Sequence, residues 1–381
     1  MNILIAGDYC DKYRVKETIS EEKYDTLFGK IKDTVRQYDL SILNFEFPVV
    51  VTNCKPIPKC GPNLIGQKKA IDAIRYAGFN VCTLANNHIL DQGETCCLDT
   101  KRLIEESGIK TVGVGRNKKE AEEILFLEEH GETLAIINCC EHEFSIATDS
   151  TPGANPLSPI RQYYKIKEAR EKADYVLVIV HGGHEHFQLP SPRMKDAYRF
   201  FIDSGADVVI NHHQHCYSGY EEYNNGLIFY GLGNLLFDHL KHRNNIWNEG
   251  YMVGLEFAAS KKTYKLLPYT QCSKGPTVSF MDTEQNKEFC NKIEVLNRII
   301  VNDNSLRKKY DEYATKKCRD SISIFAPWQS RITRALFNRG YLPMMVNKRR
   351  LSIIKNYITC ESHRDLVIKA IQNKWSETFH R

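Results

Sequence analysis

Histidine is concentrated in one stretch of this chain. Eight of the thirteen histidines lie between His181 and His242, and three of them fall in the five-residue run 211–215, Asn-His-His-Gln-His. Neutral imidazole is the commonest protein ligand for transition metals. The run directly follows the apolar stretch 206–210, so we expect His213 and His215 to lie where a strand ends in a loop. We interpret the cluster as part of a metal site rather than as a polar surface turn.

Side chains of the types that bind metals also follow the other strand-like segments. Open α/β sheets bind ligands at the carboxyl edges of their strands. Because carboxylate oxygens occur here together with imidazole nitrogens, the set favours Mn, Fe or Zn over Ca or Mg. The side chains at six successive strand ends are Asp8, Asn44 with Glu46, Asn86 with Asn87 and His88, His181 with Glu185, His212 with His213 and His215, and Asn234 with Asp238.

Short apolar segments alternate with helix-like segments as far as residue 260. Most of the apolar segments are continuous, which is typical of strands covered on both faces. This order predicts an α/β fold whose central sheet is mixed or doubled. The predicted strands are 2–6, 40–45, 81–85, 133–139, 175–180, 208–210, 227–232 and 251–257. The predicted helices between them are 67–77, 94–107, 160–172 and 193–204.

The length of 381 residues exceeds that of most single domains. The pattern changes to helix from about residue 284, so we predict a first domain of residues 1–280 and a helical extension of residues 281–381. No apolar run reaches the roughly 20 residues of a membrane span, and a strand that starts at residue 2 leaves no room for a signal peptide. Thirteen cysteines, with two adjacent pairs, do not resemble a disulfide framework, which favours a cytoplasmic location.

The net charge of +5 conceals an asymmetry. Residues 1–275 hold 32 Lys and Arg against 36 Asp and Glu, whereas residues 276–381 hold 20 against 11. The densest part, residues 307–350, has 12 basic and 3 acidic residues. A basic extension favours an anionic partner, with a solvated helical surface as the equally open alternative. Because aromatic residues do not interleave with the basic tracts, nucleic acid is not an expected partner.

Taken together, these motifs resemble the capsule-synthesis protein CapA family, which is linked to poly-γ-glutamate capsules and belongs to the calcineurin-like metallophosphoesterase superfamily. The resemblance covers residues 1–240 and does not cover residues from about 285 onward. It implies an α/β sandwich of two mixed β-sheets flanked by helices, to which the basic helical C-terminal extension is added. The matching motifs are Gly7-Asp8, Asn44-x-Glu46, Ala85-Asn-Asn-His88 with Asp91 and Gly93, His181-Gly with Glu185, His212-His213-x-His215, and Gly231-Leu-Gly-Asn234 with Phe237-Asp238.

The resemblance implies a site for two divalent ions, which we expect to be Mn, Fe or Zn. Two ions about 4 Å apart clamp a phosphate and activate a bridging water. His88 would be the general acid that protonates the leaving oxygen, and Asp91 would orient it, since a histidine that titrates near neutrality suits proton delivery. The implied ligands are Asp8 and His215 for one ion, Glu46 as the bridge, and Asn87, His181 and His213 for the other ion.

Two positions depart from the superfamily's pattern. Cys10 stands where a histidine is usual, and Glu46 stands where an aspartate is usual. A thiolate at Cys10 could replace the imidazole as a ligand, whereas a buried structural cysteine is the favoured alternative. A site that holds a single ion, or a vestigial site, therefore stays open. Further candidates for binding the metal or for supporting its ligands are Asn44, Glu185, His212 and Asn234.

The resemblance leaves three functions open. The first is a metal-dependent hydrolase that cleaves a phosphate ester or diester in capsule or surface-polymer metabolism. The second is a non-catalytic component that binds or assembles a capsule polymer resembling poly-γ-glutamate. The third is metal-assisted cleavage or transfer at a γ-glutamyl amide. All three imply an anionic partner, either a small molecule or a polymer, and the oligomeric state stays undetermined.

Overall fold

The structure, a computed structural model, describes residues 1–50, 54–258, 261–328, 330–343, 345 and 347–379. Contacts within the chain divide it into two compact units, Met1–Arg307 and Lys308–Arg381. The predicted boundary near residue 280 is the point where strands give way to helices. The first unit continues beyond that point and includes one complete further helix, Thr283–Val301.

Every strand in the described ranges belongs to the first unit. The strands form two large sheets and one short two-stranded sheet, β5 with β8. They are β1 (Asn2–Cys10), β2 (Leu40–Phe45), β3 (Val81–Thr83), β4 (Lys110–Val112), β5 (Val114–Gly115), β6 (Leu125–Glu129), β7 (Glu132–Cys140), β8 (Gly153–Ala154), β9 (Tyr175–His181), β10 (Val208–His212), β11 (Tyr220–Tyr223), β12 (Gly226–Phe229), β13 (Asn234–Phe237), β14 (Glu249–Ala258), β15 (Lys261–Gln271) and β16 (Val278–Phe280).

Both large sheets contain parallel and antiparallel strands. The eight-stranded sheet has the order β16-β15-β14-β1-β2-β3-β4, and β13 also pairs with β1. In it β1 runs parallel to β2 and β13 and antiparallel to β14. The six-stranded sheet has the order β11-β12-β10-β9-β7-β6, with four parallel central strands and an antiparallel strand at each edge. The parallel strands of each sheet therefore end at a common edge.

Helices connect the parallel strands and cover both sheets. The start of α8 shows why a helix begins at that point. Pro192 occupies its first turn, and the Ser191 side chain accepts a hydrogen bond from the backbone N–H of Met194. The helices are α1 (Arg14–Ser20), α2 (Tyr24–Phe28), α3 (Ile31–Val35), α4 (Lys69–Ala77), α5 (Gly93–Glu106), α6 (Lys118–Ala121), α7 (Pro159–Lys172), α8 (Pro192–Asp203), α9 (Thr283–Val301), α10 (Asp303–Ile322), α11 (Arg331–Asn338), α12 (Lys348–Thr359) and α13 (Glu361–Phe379).

Three apolar clusters form the layers of the first unit. The middle cluster joins the two sheets, because Ile3 and Ile42 of one sheet pack with Leu177 and Ile179 of the other. Alternate residues of β1 and β2, such as Leu4, point to the opposite face and pack with helices α1 and α4. A third cluster packs α7 and α8 on the outer face of the six-stranded sheet. Successive strand side chains alternate between faces, so continuous apolar strands supply both layers at once.

The predicted fold class is confirmed: two mixed β-sheets form an α/β sandwich flanked by helices. The strand predicted over residues 40–45 has those bounds in the structure. The strand predicted over 227–232 was too long, because it ends at Phe229 and a separate strand, Asn234–Phe237, follows the Gly233 turn. The long antiparallel strand Lys261–Gln271 was not predicted.

The structure contains one disulfide, and the remaining cysteines are free. Although the sequence predicts no disulfide framework, Cys54 and Cys96 form one disulfide. The other eleven cysteines are free, and seven of them are buried. Among the helices of the described residues, none is both long enough and apolar enough to cross a membrane.

Replacing Ile179 by alanine tests the shared core between the sheets. The side chain is fully buried in the middle cluster, so its removal leaves a cavity that the surrounding strands fill only in part. We expect a loss of about 2–5 kcal/mol in the free energy of unfolding, measured by urea denaturation. The matched control is Ile160→Ala in α7, where the isoleucine is 73% exposed. Equal effects of the two substitutions would contradict this packing.

Candidate metal centre

The predicted ligands come from strand ends in both sheets. In the eight-stranded sheet, Asp8 of β1 lies beside Asn44 of β2 and Asn234 of β13. In the six-stranded sheet, His212 of β10 is paired with His181 of β9. Because the strands of each set are parallel, their carboxyl ends carry polar side chains to one edge. The fold thereby gathers residues that are far apart in the chain.

The backbone that follows β10 has an unusual conformation. His213 has a φ of 91° and His215 a φ of 53°, in the left-handed region that residues with a Cβ rarely adopt. The Gln214 side chain anchors this turn by donating a hydrogen bond to the Phe187 carbonyl oxygen at 2.9 Å. The turn brings the His213 N–H to 3.2 Å from Asp8 Oδ2. Backbone strain of this kind clusters at functional sites, where the surrounding structure imposes it.

Two groups of three buried side chains share the carboxylate of Glu46. One group is Glu46, His181 and His213, and the other is Asp8, Glu46 and His215. Within each group, one ligand atom per residue lies within 4.8 Å of the others. The part of the chain that the structure describes contains no further group of this kind. An ion held by either group would have the Glu46 carboxylate among its ligands.

The Glu46 carboxylate lacks hydrogen-bond partners. Both of its oxygens are buried, and neither accepts a hydrogen bond from any described residue. Oε1 lies 3.6 Å from His215 Nε2 and 3.8 Å from His181 Nε2. Burial raises the pKa of Glu46 well above its usual range, and the neighbouring Asp8 carboxylate raises it further. A buried carboxylate without a donor is costly, and a bound cation would supply the missing partner.

Asn44 fixes the direction of two predicted ligands. Its Nδ2 donates a hydrogen bond to Asp8 Oδ1 at 2.7 Å and lies 3.3 Å from His181 Nδ1. Burial raises the pKa of Asp8 to about 7, although the hydrogen bonds from Asn44 and from the His213 N–H act in the opposite direction. These hydrogen bonds therefore orient the Asp8 carboxylate, but they do not offset the rise in its pKa that burial causes.

The imidazoles at this site are held in the neutral form. Burial lowers the pKa of His181 and of His215 well below 6.5, and it lowers the pKa of His213 in the same direction. His215 Nδ1 donates a hydrogen bond to Asn234 Oδ1 at 2.9 Å, which leaves Nε2 with a lone pair. His181 Nε2 lies 3.0 Å from Asn87 Oδ1 and 3.1 Å from His213 Nδ1. Neutral imidazole is the form that binds metal.

The donor set as a whole fits a divalent metal ion. Unpartnered carboxylate oxygens and neutral imidazole nitrogens are found together in one buried cluster. Carboxylates and imidazoles are ligands that divalent transition metals accept in the same site. The structure thus brings all six predicted ligands to one place, with Asn87 adjoining His181.

His88 lies beside this cluster and forms a dyad with Asp91. His88 Nδ1 is 2.6 Å from Asp91 Oδ2, and His88 Nε2 is 4.0 Å from Glu46 Oε1. Lys59 forms an ion pair with Asp91 Oδ1 and lies 3.2 Å from His88 Nδ1. The side chains of Lys59 and Asp91 are almost completely buried, at 1% and 0% exposure. A buried cation therefore compensates the carboxylate that orients the His88 ring.

A cavity of about 400 Å³ opens over His88 and His215. Its wall carries cationic side chains, acidic side chains and stacked rings; the His242 ring lies 4.8 Å from the Trp247 ring, nearly parallel to it. A larger cavity, of about 670 Å³, lies near Tyr175 at the opposite end of β9 and contains none of the predicted ligands. Lining residues of the smaller cavity include Lys12, Lys59, Asn87, Glu143, Glu185 and His186.

Three further residues that the sequence suggested as metal ligands or as supports for them are Cys10, His212 and Glu185, and each lies in different surroundings. Cys10 is buried in the apolar cluster on the helix side of the sheet, burial raises the pKa of its thiol, and it belongs to neither ligand group. His212 is buried with Nδ1 at 3.5 Å from Asp8 Oδ1, and neither ring nitrogen has a hydrogen-bond partner in the described residues. Glu185 is exposed and lies on the cavity wall, and its support of an imidazole stays a prediction.

Sequence reasoning missed two polar residues of the cavity. Lys59 lies in the proline-rich loop 54–66, where no periodic pattern indicates which side chain points inward. Glu143 accepts a hydrogen bond from Asn87 Nδ2 at 2.7 Å, so it orients a predicted ligand. Both residues lie in long connecting segments, which in compact domains are often functional. The loop composition did not indicate which residue would reach the site.

The buried Asp8 predicts a pH-dependent stability for the metal-free protein. Asp8 takes up its proton near pH 7 when folded and near 3.8 when unfolded. The raised pKa stabilises the fold below about pH 4, and this contribution is lost as the pH rises through 7. The buried histidines have lowered pKa values and contribute a slope of the opposite sign, so the test is a difference between two proteins. Between about pH 4 and pH 8, chelator-treated wild-type protein should lose about 2–4 kcal/mol of unfolding free energy relative to Asp8→Asn, measured by urea unfolding. Exposed Asp196→Asn is the control, and an unchanged slope in Asp8→Asn would contradict the assignment.

Comparison with curated proteins shows similarity to two Bacillus proteins. The "Capsule biosynthesis protein CapA" of Bacillus anthracis is 31% identical over 246 residues, which cover 62% of this chain and 60% of that protein. The "PGA biosynthesis protein CapA" of Bacillus subtilis strain 168 is 32% identical over 230 residues, which cover 59% of this chain and 60% of that protein. The chain thus spans about 60% of the length of these relatives.

Solved structures and a family model also match the chain. A hypothetical protein from Thermus thermophilus aligns with a TM-score of 0.46 and 19% identity over 74% of this chain and 100% of that chain. A putative 5′-nucleotidase from Staphylococcus aureus aligns with a TM-score of 0.44 and 13% identity over 77% of this chain and 58% of that chain. Residues 2–239 match the family described as "Bacterial capsule synthesis protein PGA_cap". The chain belongs to this capsule synthesis family.

Proposed function

We propose that the protein is a metal-dependent phosphoesterase that acts on a phosphate ester or diester in capsule or surface-polymer metabolism. The observation that carries the proposal is the position of Glu46, which two groups of buried ligands share beside the cavity that contains His88. The family match and the names of the Bacillus relatives support the link to capsule formation. The expected substrate is anionic because a phosphate ester carries negative charge. The cavity wall itself carries both signs, with Lys12 and Lys59 beside Glu143 and Glu185.

The cluster would hold two divalent ions, and Mn, Fe or Zn suits its mixture of oxygen and nitrogen donors. When bound, such a pair supplies the positive charge that a phosphate requires and lowers the pKa of a bound water. This chain's own contribution is to hold the ligands in place, with Asn44 and Asn234 fixing two of them. The proposed ligands are Asp8 and His215 for one ion, Asn87, His181 and His213 for the other, and Glu46 for both.

His88 is the proposed general acid. Its Nδ1 is engaged by Asp91, so the proton that it can transfer is carried on Nε2. Nε2 faces the ligand cluster, where the leaving oxygen of a bound phosphate ester would lie. Proton delivery by a positioned histidine contributes about 10²–10⁴-fold to a rate. Asp91 and Lys59 hold the ring in this orientation without contacting the leaving oxygen themselves.

Alanine at His213 is expected to remove both metal and activity. The substitution removes one ligand from the second group, so metal content measured by plasma mass spectrometry should fall from about two ions per chain. Turnover of an aryl phosphodiester in added Mn²⁺ should fall by at least about 100-fold, and Asn87→Ala should behave similarly. The control is His130→Asn, because His130 is exposed and pairs with Asp39 on the surface.

The same experiment distinguishes the alternative functions. A wild-type protein that binds two ions but shows only background turnover would contradict the phosphoesterase proposal and favour a non-catalytic capsule component. Release of glutamate from a γ-glutamyl polymer, detected by mass spectrometry, would instead identify amide cleavage. Wild-type protein that takes up no Mn²⁺, Fe²⁺ or Zn²⁺ would contradict the metal centre itself.

Substitutions at Lys59 separate its effect on activity from its effect on stability. Lys59→Met leaves the buried Asp91 carboxylate without its cation, which should lower the free energy of unfolding by about 3–5 kcal/mol. In Lys59→Met/Asp91→Asn the buried charge is absent, so stability should recover while kcat stays low because the His88 ring is no longer held. Urea unfolding and phosphodiester kinetics measure the two effects, with exposed Lys119→Met as the control. Full activity in the double variant would show that Lys59 and Asp91 only stabilise the fold and are not needed to position His88.

A further inference from the structure

Large apolar side chains lie exposed on the helices of the second unit. Ile332 of α11 is 74% exposed, and in α12 Ile353 and Ile358 are 49% and 51% exposed. Between the two helices, Tyr341 and Met345 are 74% and 68% exposed. A single exposed apolar residue needs no explanation, whereas several within one short stretch of the chain point to a partner. We refer to the described residues of 331–358 as the C-terminal patch.

The charge of this segment is entirely of one sign. Residues 321–360 contain seven Lys and Arg and no Asp or Glu. Three of the seven, Lys348, Arg349 and Arg350, occupy the first turn of α12 and are exposed. A segment without carboxylates cannot neutralise its own cations. The partner that covers the C-terminal patch must therefore tolerate or supply negative charge.

Helix α12 separates its apolar side chains from its polar ones, except for Arg350. At about 100° per residue, Leu351, Ile354 and Ile358 lie along one side of the helix, and Ile353 and Tyr357 widen that side. The side chains that lie opposite are Lys348, Arg349, Ser352, Lys355, Asn356 and Thr359, whereas Arg350 lies on the apolar side, between Ile354 and Tyr357. None of the twelve residues of α12 is buried. Helix α13 packs against α12, where Tyr357 stacks on His363 and Leu351 and Ile354 are half-buried. The exposed part of the apolar side is formed by Ile353, Tyr357 and Ile358.

We propose that the C-terminal patch binds the surface of an anionic lipid membrane, with the apolar side of α12 inserted between headgroups and the lysines and arginines contacting lipid phosphates. Helices of peripheral membrane proteins commonly combine an exposed apolar side with flanking basic residues and an aromatic residue at the membrane interface, such as Tyr357 here. A soluble polyanion would pair with the charges and leave the isoleucines in water. A second copy of the chain would bring the same positive charges face to face.

Vesicle sedimentation of the full chain tests the proposal directly. Wild-type protein should sediment with vesicles of phosphatidylglycerol and phosphatidylcholine, and it should remain in solution with phosphatidylcholine alone. The triple variant Lys348→Gln/Arg349→Gln/Arg350→Gln should bind on the order of 100-fold more weakly, since each charge near an anionic surface contributes several-fold. Ile353→Gln/Ile358→Gln should also lose binding, because it keeps the charge but removes the apolar side.

Matched controls change the first unit in the same way. Lys30→Gln/Lys110→Gln/Lys119→Gln removes three exposed charges, Ile160→Gln replaces one exposed isoleucine, and neither should alter vesicle binding. Circular dichroism checks that each variant keeps its helices. Several results would overturn the proposal: no binding of wild-type protein to anionic vesicles, undiminished binding of the isoleucine variant, or binding to poly-γ-glutamate or self-association in place of vesicle binding.

Discussion

The buried charge at Glu46 is the constraint that the surrounding residues accommodate. Its two oxygens lie at the meeting point of the two sheets' polar edges without a hydrogen-bond donor among the described residues. Burial penalises that charge, and Asp8 beside it adds repulsion. Neutral imidazoles, Asn44 and Asn234 orient their neighbours but do not cancel the charge. Apolar side chains in these positions would avoid the cost of burying the charge, so the stability of the fold alone does not account for the cluster.

The sheets and helices explain how this cluster is held in place. Apolar side chains on both faces of the strands anchor each strand, so the residues at its carboxyl end have little freedom. The rigid sandwich supplies the ligands, whereas the loops supply Lys59 and Glu143 at the cavity. Function therefore depends on two kinds of structure: buried strands that position charges, and exposed loops that shape what approaches them.

Sequence reasoning worked best where one physical cause dominated. Leu40–Phe45 was predicted to the residue because six consecutive buried positions leave little alternative to a strand. Lys261–Gln271 was missed because lysines and Pro268 interrupt its pattern, and its strand character comes from pairing with β14. The candidate ligands could be predicted from strand ends, since parallel strands share an edge. Lys59 could not, because its burial depends on how a loop folds back over His88.

The central position of the first strand has a consequence for how the chain folds during synthesis. β1 pairs with β2 early in the chain, but its other neighbours are Asn234–Phe237 and Glu249–Ala258. One of the two hydrogen-bonding edges of β1 thus stays unpaired until β14, about 250 residues further along the chain, has been synthesised. Contacts at such sequence separation slow folding and expose apolar strands meanwhile. We expect this protein to depend on chaperones during translation, and a truncation before β14 to aggregate rather than fold.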